Sequence, residues 1–168
     1  IVKKNATLTI TGATTIINMA RGMSIKVEAG GVLNVTNGAT IDNLCGEMWR
    51  GIEIWGNSNL PQTTTQQGSM TINGNSILRN MEFGVMLSKP YGNPLTDGFD
   101  PTGNGGILNA LYARFENNRR SVGFGAYTAT NSTSYISLCT FVNTTRPVAQ
   151  AVSLLNIHGV SFAGNTFT

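Results

Sequence analysis

The stretch ILRNMEFGVML, residues 77–87, carries the pattern that decides the fold. An apolar residue, a charged residue and Asn80 come first, and Val85 follows five residues later, inside a short apolar run. The triplet recurs as Ile41-Asp42-Asn43, Phe115-Glu116-Asn117 and Phe141-Val142-Asn143, at intervals of 37, 37 and 26 residues. Val122 and Val148 stand five residues after Asn117 and Asn143, just as Val85 follows Asn80. In the first copy Ile52 follows Asn43 by nine residues, so residues 44–47 read as a four-residue insertion at the turn. A looser copy, Phe162-Ala163-Gly164-Asn165, puts its Asn 22 residues after Asn143.

Each triplet is preceded by another strand-like run: Val32-Leu33-Asn34-Val35, Ser69-Met70-Thr71-Ile72, Ile107-Leu108-Asn109-Ala110 and Ser134-Tyr135-Ile136-Ser137. A unit therefore holds about three short β runs joined by turns, with no helical apolar period. Three strands per repeat describe a parallel β-helix, a solenoid whose coils stack about 4.8 Å apart and whose equivalent residues form ladders. Asn43, Asn80, Asn117 and Asn143 are expected to form one such ladder. Asn tolerates a left-handed backbone, and stacked amide side chains bond to one another. Asp42, Arg79 and Glu116 would then sit on successive coils with alternating sign, which favours neighbouring strands.

A β-sandwich also has many short strands, but it does not predict an Asn locked to a following Val. The expected fold is all-β, a parallel β-helix of about five to six coils. Residues 1–168 read as a single domain from which two long loops depart, 57–67 (NSNLPQTTTQQ) and 88–106 (SKPYGNPLTDGFDPTGNGG). Loops of this kind are where function usually sits on a solenoid.

Composition agrees. Only 11% of residues are charged and 40% are hydrophobic, so Thr, Asn and Gly-rich strands and turns are expected rather than surface helices or disorder. The net charge of +3 is spread along the chain, which argues against a nucleic-acid partner. No apolar run approaches the roughly 18 residues of a membrane span. The chain starts at Ile1 without a signal peptide, so a processed product or a segment of a longer protein is expected.

The stretches NGATIDN (37–43), CGEMWRGIEIWGNS (45–58) and ARFENNRRSV (113–122) resemble the right-handed parallel β-helix segments of large secreted or surface proteins of Bacteroidota. Those proteins commonly end in a sorting domain for the type IX secretion system, and their fold is the pectate-lyase-like superfold. The resemblance covers about residues 6 to 162. It implies a right-handed coil and an exported, modular protein, and it carries over no catalytic set.

The fold also hosts polysaccharide lyases and hydrolases, which need paired carboxylates or a calcium site with a basic partner. Asp42 and Glu116 are explained as flanks of Arg79. Glu53 aligns with Met86, Gly123 and Ala149, and Glu82 with Trp49 and Arg119, so these read as isolated charges. Asp97 and Asp100 are close in sequence and are weak metal candidates, although Asp-Gly and Asp-Pro are ordinary turn chemistry. His158 lacks the paired aspartates that would make it catalytic. No catalytic residue, metal site or cofactor is therefore assigned. Cys45 and Cys139 fall three coil steps apart, roughly 14 Å, too far for a disulfide.

Four residues remain as ligand-binding candidates: Trp55, Glu53, Arg119 and Arg120. Alternation from Ile52 sends Ile52 and Ile54 inward and Glu53 and Trp55 outward. Trp55 would lie over Ser88 and Gly125 of later coils, leaving room for a sugar ring, or for the 57–67 loop, to cover the indole. Arg50, Phe83, Arg120 and Arg146 occupy matching places before the third strand, a row that could hold an acidic polymer or simply cover the coil edge.

The expected function is that of a non-catalytic structural or adhesive module of a secreted or cell-surface protein. The alternative is a carbohydrate-binding or polysaccharide-degrading β-helix protein. Expected partners are a glycan or a cell-surface or matrix polymer, and either further coils or end-to-end self-association should cover the open end of the stack.

Overall fold

A computed structural model describes residues 1–92, 98–145 and 150–168. Among these residues the chain is all-β apart from one short 3-10 turn, Pro101–Gly103. Three parallel sheets carry it, consistent with a parallel β-solenoid. The first sheet stacks β1 (Thr7–Thr11), β4 (Val32–Thr36), β7 (Ser69–Asn73), β12 (Ile107–Leu111), β15 (Tyr135–Ser137) and β18 (Ser161–Ala163). The second stacks β2 (Ile16–Met19), β5 (Thr40–Asn43), β8 (Ile77–Arg79), β13 (Arg114–Glu116), β16 (Thr140–Val142) and β19 (Thr166–Phe167). The third stacks β3 (Ser24–Val27), β6 (Gly51–Ile54), β9 (Val85–Leu87), β14 (Arg120–Phe124) and β17 (Gln150–Leu154). Between β9 and β12, β10 (Lys89–Pro90) and β11 (Phe99–Asp100) form an antiparallel pair outside the stack.

Strand alternation sends one set of side chains to the interior, where equivalent residues stack in rows. On the second sheet the row runs Ile41, Leu78, Phe115, Phe141 and Phe167. Its three rings stack face to face at 4.9 Å, with interplanar angles of 6° and 9°. On the third sheet Ile52, Val85, Val122 and Val152 lie side by side. Burying each such side chain fully stabilises the fold by about 1.5–3 kcal/mol.

The repeat holds for three copies and shifts in the last two. Val152 is the partner of Val122, whereas Val148 was expected there and lies outside the described residues. The segment after Asn143 is therefore longer than in the preceding unit, and the five-residue count fails. Ser153, not Ala149, continues the row of Met86 and Gly123, and Gln150, not Arg146, stands beside Arg120. The looser copy is also displaced: Phe162 pairs with Ile136 on the first sheet, and Phe167 takes the place of Phe141 on the second. Asn165 bridges β15 and β16, accepting from the Cys139 N–H at 2.9 Å and donating to the Ile136 carbonyl at 2.8 Å.

At the second corner, Asn80 and Asn117 are left-handed, with φ of 59° and 52°; Asn43 and Asn143 are not. Asn80 donates to Asn43 Oδ1 at 2.9 Å and Asp42 Oδ1 at 2.7 Å. Asn117 Oδ1 accepts the Thr144 N–H at 2.9 Å. Arg79 lies between Asp42, at 2.7 Å, and Glu116, at 3.9 Å. The neighbour Asn118, buried, accepts the Met81 N–H and donates to the Leu78 carbonyl, tying two layers together.

The first corner is more regular. The residue directly after every first-sheet strand is left-handed: Gly12, Asn37, Gly74, Tyr112, Leu138 and Gly164, with φ of 105°, 56°, 63°, 52°, 54° and 61°. Gly and Asn adopt this conformation readily. Tyr112 and Leu138 carry a steric cost of roughly 1–2 kcal/mol there, so stacking of the layers imposes the corner on them.

Candidate functional site

The outer face of the third sheet gathers most of the chain's unusual chemistry. Its central row is Lys26, Glu53, Met86, Gly123 and Ser153. The face has two parts, one around Glu53 on β6 and one around Arg120 on β14.

In the first part Glu53 is enclosed. It is on the outward side of β6, as alternation requires, yet only 1% exposed. Its Oε1 accepts the Ser24 hydroxyl at 2.9 Å, and its Oε2 accepts the Trp55 indole N–H at 3.1 Å. Trp55 is half-buried, with the Lys26 and Lys89 ammonium groups 5.8 and 5.3 Å from its ring centroid. Sequence alternation missed this enclosure, because it does not show the Trp55 indole turning back to Glu53 or Ser24 reaching it from the preceding coil.

The 57–67 loop is held by buried amides. Buried Gln67 holds it closed, accepting the Asn57 N–H at 2.6 Å and donating to the Asn57 and Leu60 carbonyls, both at 2.9 Å. Buried Gln62 reaches the Gly105 carbonyl at 3.1 Å and accepts from the Thr133 N–H at 2.7 Å. Gln62 thus fastens the loop to the segments that lead into β12 and β15.

In the second part the adjacent arginines separate. Arg119 is exposed and pairs with Glu82 at 3.7 Å, so Glu82 is not the isolated charge its alignment implied. Arg120 is half-buried, and its side chain lies across Gly123. A Cβ added at Gly123 would sit 3.3 Å from Arg120 Cδ and 3.7 Å from a terminal guanidinium nitrogen. Among the described residues Arg120 has no ion pair. Burial, and then the charge of Arg119, hold its guanidinium below the usual arginine value.

Arg120 borders a groove of about 600 Å³ with Met86 and Gly123 on the floor and Phe99, Leu154 and Leu155 on the walls. Its size is that of a ligand pocket. Asn104 lines the same groove, 5% exposed, and its Oδ1 is buried without a hydrogen-bond partner. Gly125 makes room for this amide, since a methyl group there would collide with it. Nothing in the local sequence marks Asn104, because only the tertiary fold brings it against Gly125.

Asp97 lies outside the described residues. Asp100 accepts the Thr102 N–H at 2.9 Å and hydroxyl at 2.6 Å, and Lys89 lies 3.8 Å away. It thus caps the 3-10 turn, and the Thr102 hydroxyl bond, then the backbone bond, holds its carboxyl below the usual range. No group of three or more His, Cys, Asp or Glu among the described residues could hold a metal ion. Cys45 and Cys139 are free thiols, one exposed and one buried. His158 is exposed. No helix among the described residues is long and apolar enough to cross a membrane.

No family model, curated protein or solved structure matches the chain.

Proposed function

We propose that the chain is a segment of a right-handed parallel β-helix of about five to six coils, in a secreted or cell-surface protein of the type IX secretion class. It acts without catalysis, as a rigid adhesive module, and the outer face of its third sheet is the adhesive surface. The observation that carries this reading is the groove lined by β14, β17, Phe99, Pro101 and Asn104. Among the described residues Arg120 has no anion there, and the buried Asn104 oxygen has no donor. Such groups cost free energy unless a ligand satisfies them.

Arrays of glycans and of peptides, probed with the labelled full chain, test the reading. At least one bound class should be lost in a Phe99→Arg variant that melts like the wild type. Binding nowhere on either array reduces the module to a spacer and refutes adhesion.

A second reading places a carbohydrate on the half-buried indole of Trp55, on the same face. Polysaccharide cleavage would further need two carboxylates aimed at one substrate, and the nearby Glu53 is enclosed under the indole. Incubation with a panel of polysaccharides separates these cases: new reducing or unsaturated ends favour an enzyme, and quenching of Trp55 fluorescence without cleavage favours binding alone.

A further inference from the structure

The adhesive reading leaves the ligand class open, and the groove narrows it. Phe99, Phe124, Leu154 and Leu155 are apolar, with Leu154 and Leu155 52% and 65% exposed at the rim. A sugar ring carries several hydroxyls, each needing a partner once removed from water. Ser88, Asn104, Arg120, Gln150 and Ser153 supply the polar side chains of this groove, and the rest of its lining is apolar or glycine. An extended peptide suits it better, since its side chains can be apolar and its backbone offers one N–H per residue.

The polar groups that are present ask for two specific things. Arg120 is a half-buried cation without a counter-ion among the described residues, which a carboxylate can meet with charge-assisted bonds. Asn104 Oδ1 is a buried acceptor without a donor, and an amide N–H can meet it. Gly123 and Gly125 keep the floor beneath these two groups free of side chains.

We propose that the groove binds an acidic peptide segment, with a Glu or Asp carboxylate on Arg120, a backbone N–H on Asn104 Oδ1, and apolar side chains against Phe99, Leu154 and Leu155. The proposal rests on the adhesive reading and supplies its ligand class.

Fluorescence polarisation of the full chain against fluorescein-labelled octapeptides tests it. The pool carries one central Glu among positions randomised over Leu, Val and Ala. The wild type should bind this pool at least about tenfold more tightly than the pool with Gln in place of Glu. Arg120→Met should erase that difference while its circular dichroism and melting temperature stay unchanged. If Arg120→Met unfolds, Arg120→Lys and the Glu–Gln comparison on the wild type decide. Equal binding of the Glu and Gln pools overturns the proposal. Oligogalacturonate is run alongside. If it binds and the peptides do not, the peptide assignment fails while adhesion stands. If neither binds, the peptide assignment fails, and adhesion fails with it only when the glycan and peptide arrays are blank as well.

Discussion

Trp55 gives its indole N–H to Glu53, two residues earlier, at 3.1 Å, and the Ser24 hydroxyl completes the buried carboxylate at 2.9 Å. A carboxylate 1% exposed is stable only with donors of this kind, and Lys26 lies beside it in the strand register. The pair therefore belongs to the packing of the outer face.

Replacing Glu53 with Leu strands the indole N–H and the Ser24 hydroxyl. The expected loss is about 2–4 kcal/mol, and Glu53→Gln, which keeps one acceptor, should lose roughly half as much. Urea unfolding measures both; equal stability of all three proteins would contradict the burial.

The aromatic row makes a graded prediction. Phe141 lies between Phe115 and Phe167, with ring centroids 4.9 Å apart on each side. Phe141→Ala should cost about 3–5 kcal/mol. Phe167 is 59% exposed, so Phe167→Ala should cost much less. A reversed order by thermal melting would mean that the stack is not the core of the second sheet.

At the first corner, Tyr112 is left-handed at φ 52° and 53% exposed. Asn adopts that conformation more readily, so Tyr112→Asn should raise stability by up to about 1 kcal/mol. A drop in the melting temperature would show that the ring contributes more than the strain removes.

The two thiols should differ in reactivity. Cys45 is exposed, and burial pushes the Cys139 thiol up, which suppresses its reactive thiolate. A disulfide-exchange reagent at neutral pH should titrate about one thiol per native chain and a second only after unfolding. Fast modification of both would place Cys139 at the surface.

Asp100 sets a small pH dependence. Its folded-state pKa is depressed, chiefly by the Thr102 hydroxyl. Its contribution to stability is therefore present above the ordinary carboxylate pKa and is lost as pH falls through the lower folded value. Asp100→Asn should flatten the acid limb of melting temperature against pH; an unchanged limb would rule out this contribution.

Much of the architecture could be read along the chain. The triplets around Asn43, Asn80 and Asn117 set the register in which Ile52, Val85 and Val122 stack. The reading failed after Asn143. There the linking segment is longer, so counting five residues pointed to Val148 where Val152 stands. The first-corner row was invisible because its six members include Tyr112 and Leu138, whose types carry no left-handed signal.

The outer face was legible only in part. Alternation placed Glu53 and Trp55 outside, and adjacency singled out Arg119 and Arg120. It could not reveal that Glu53 is enclosed, that Glu82 takes Arg119, or that Asn104 returns over Gly125. The inward rows and apolar-x-Asn corners of the units around Asn43, Asn80 and Asn117 follow from local alternation and turn chemistry, so the sequence alone determined them. Which outward groups are covered, paired or left open to a ligand depends on where a long loop lands on the stack. Contacts between residues tens of positions apart set that, and only the tertiary structure decided it.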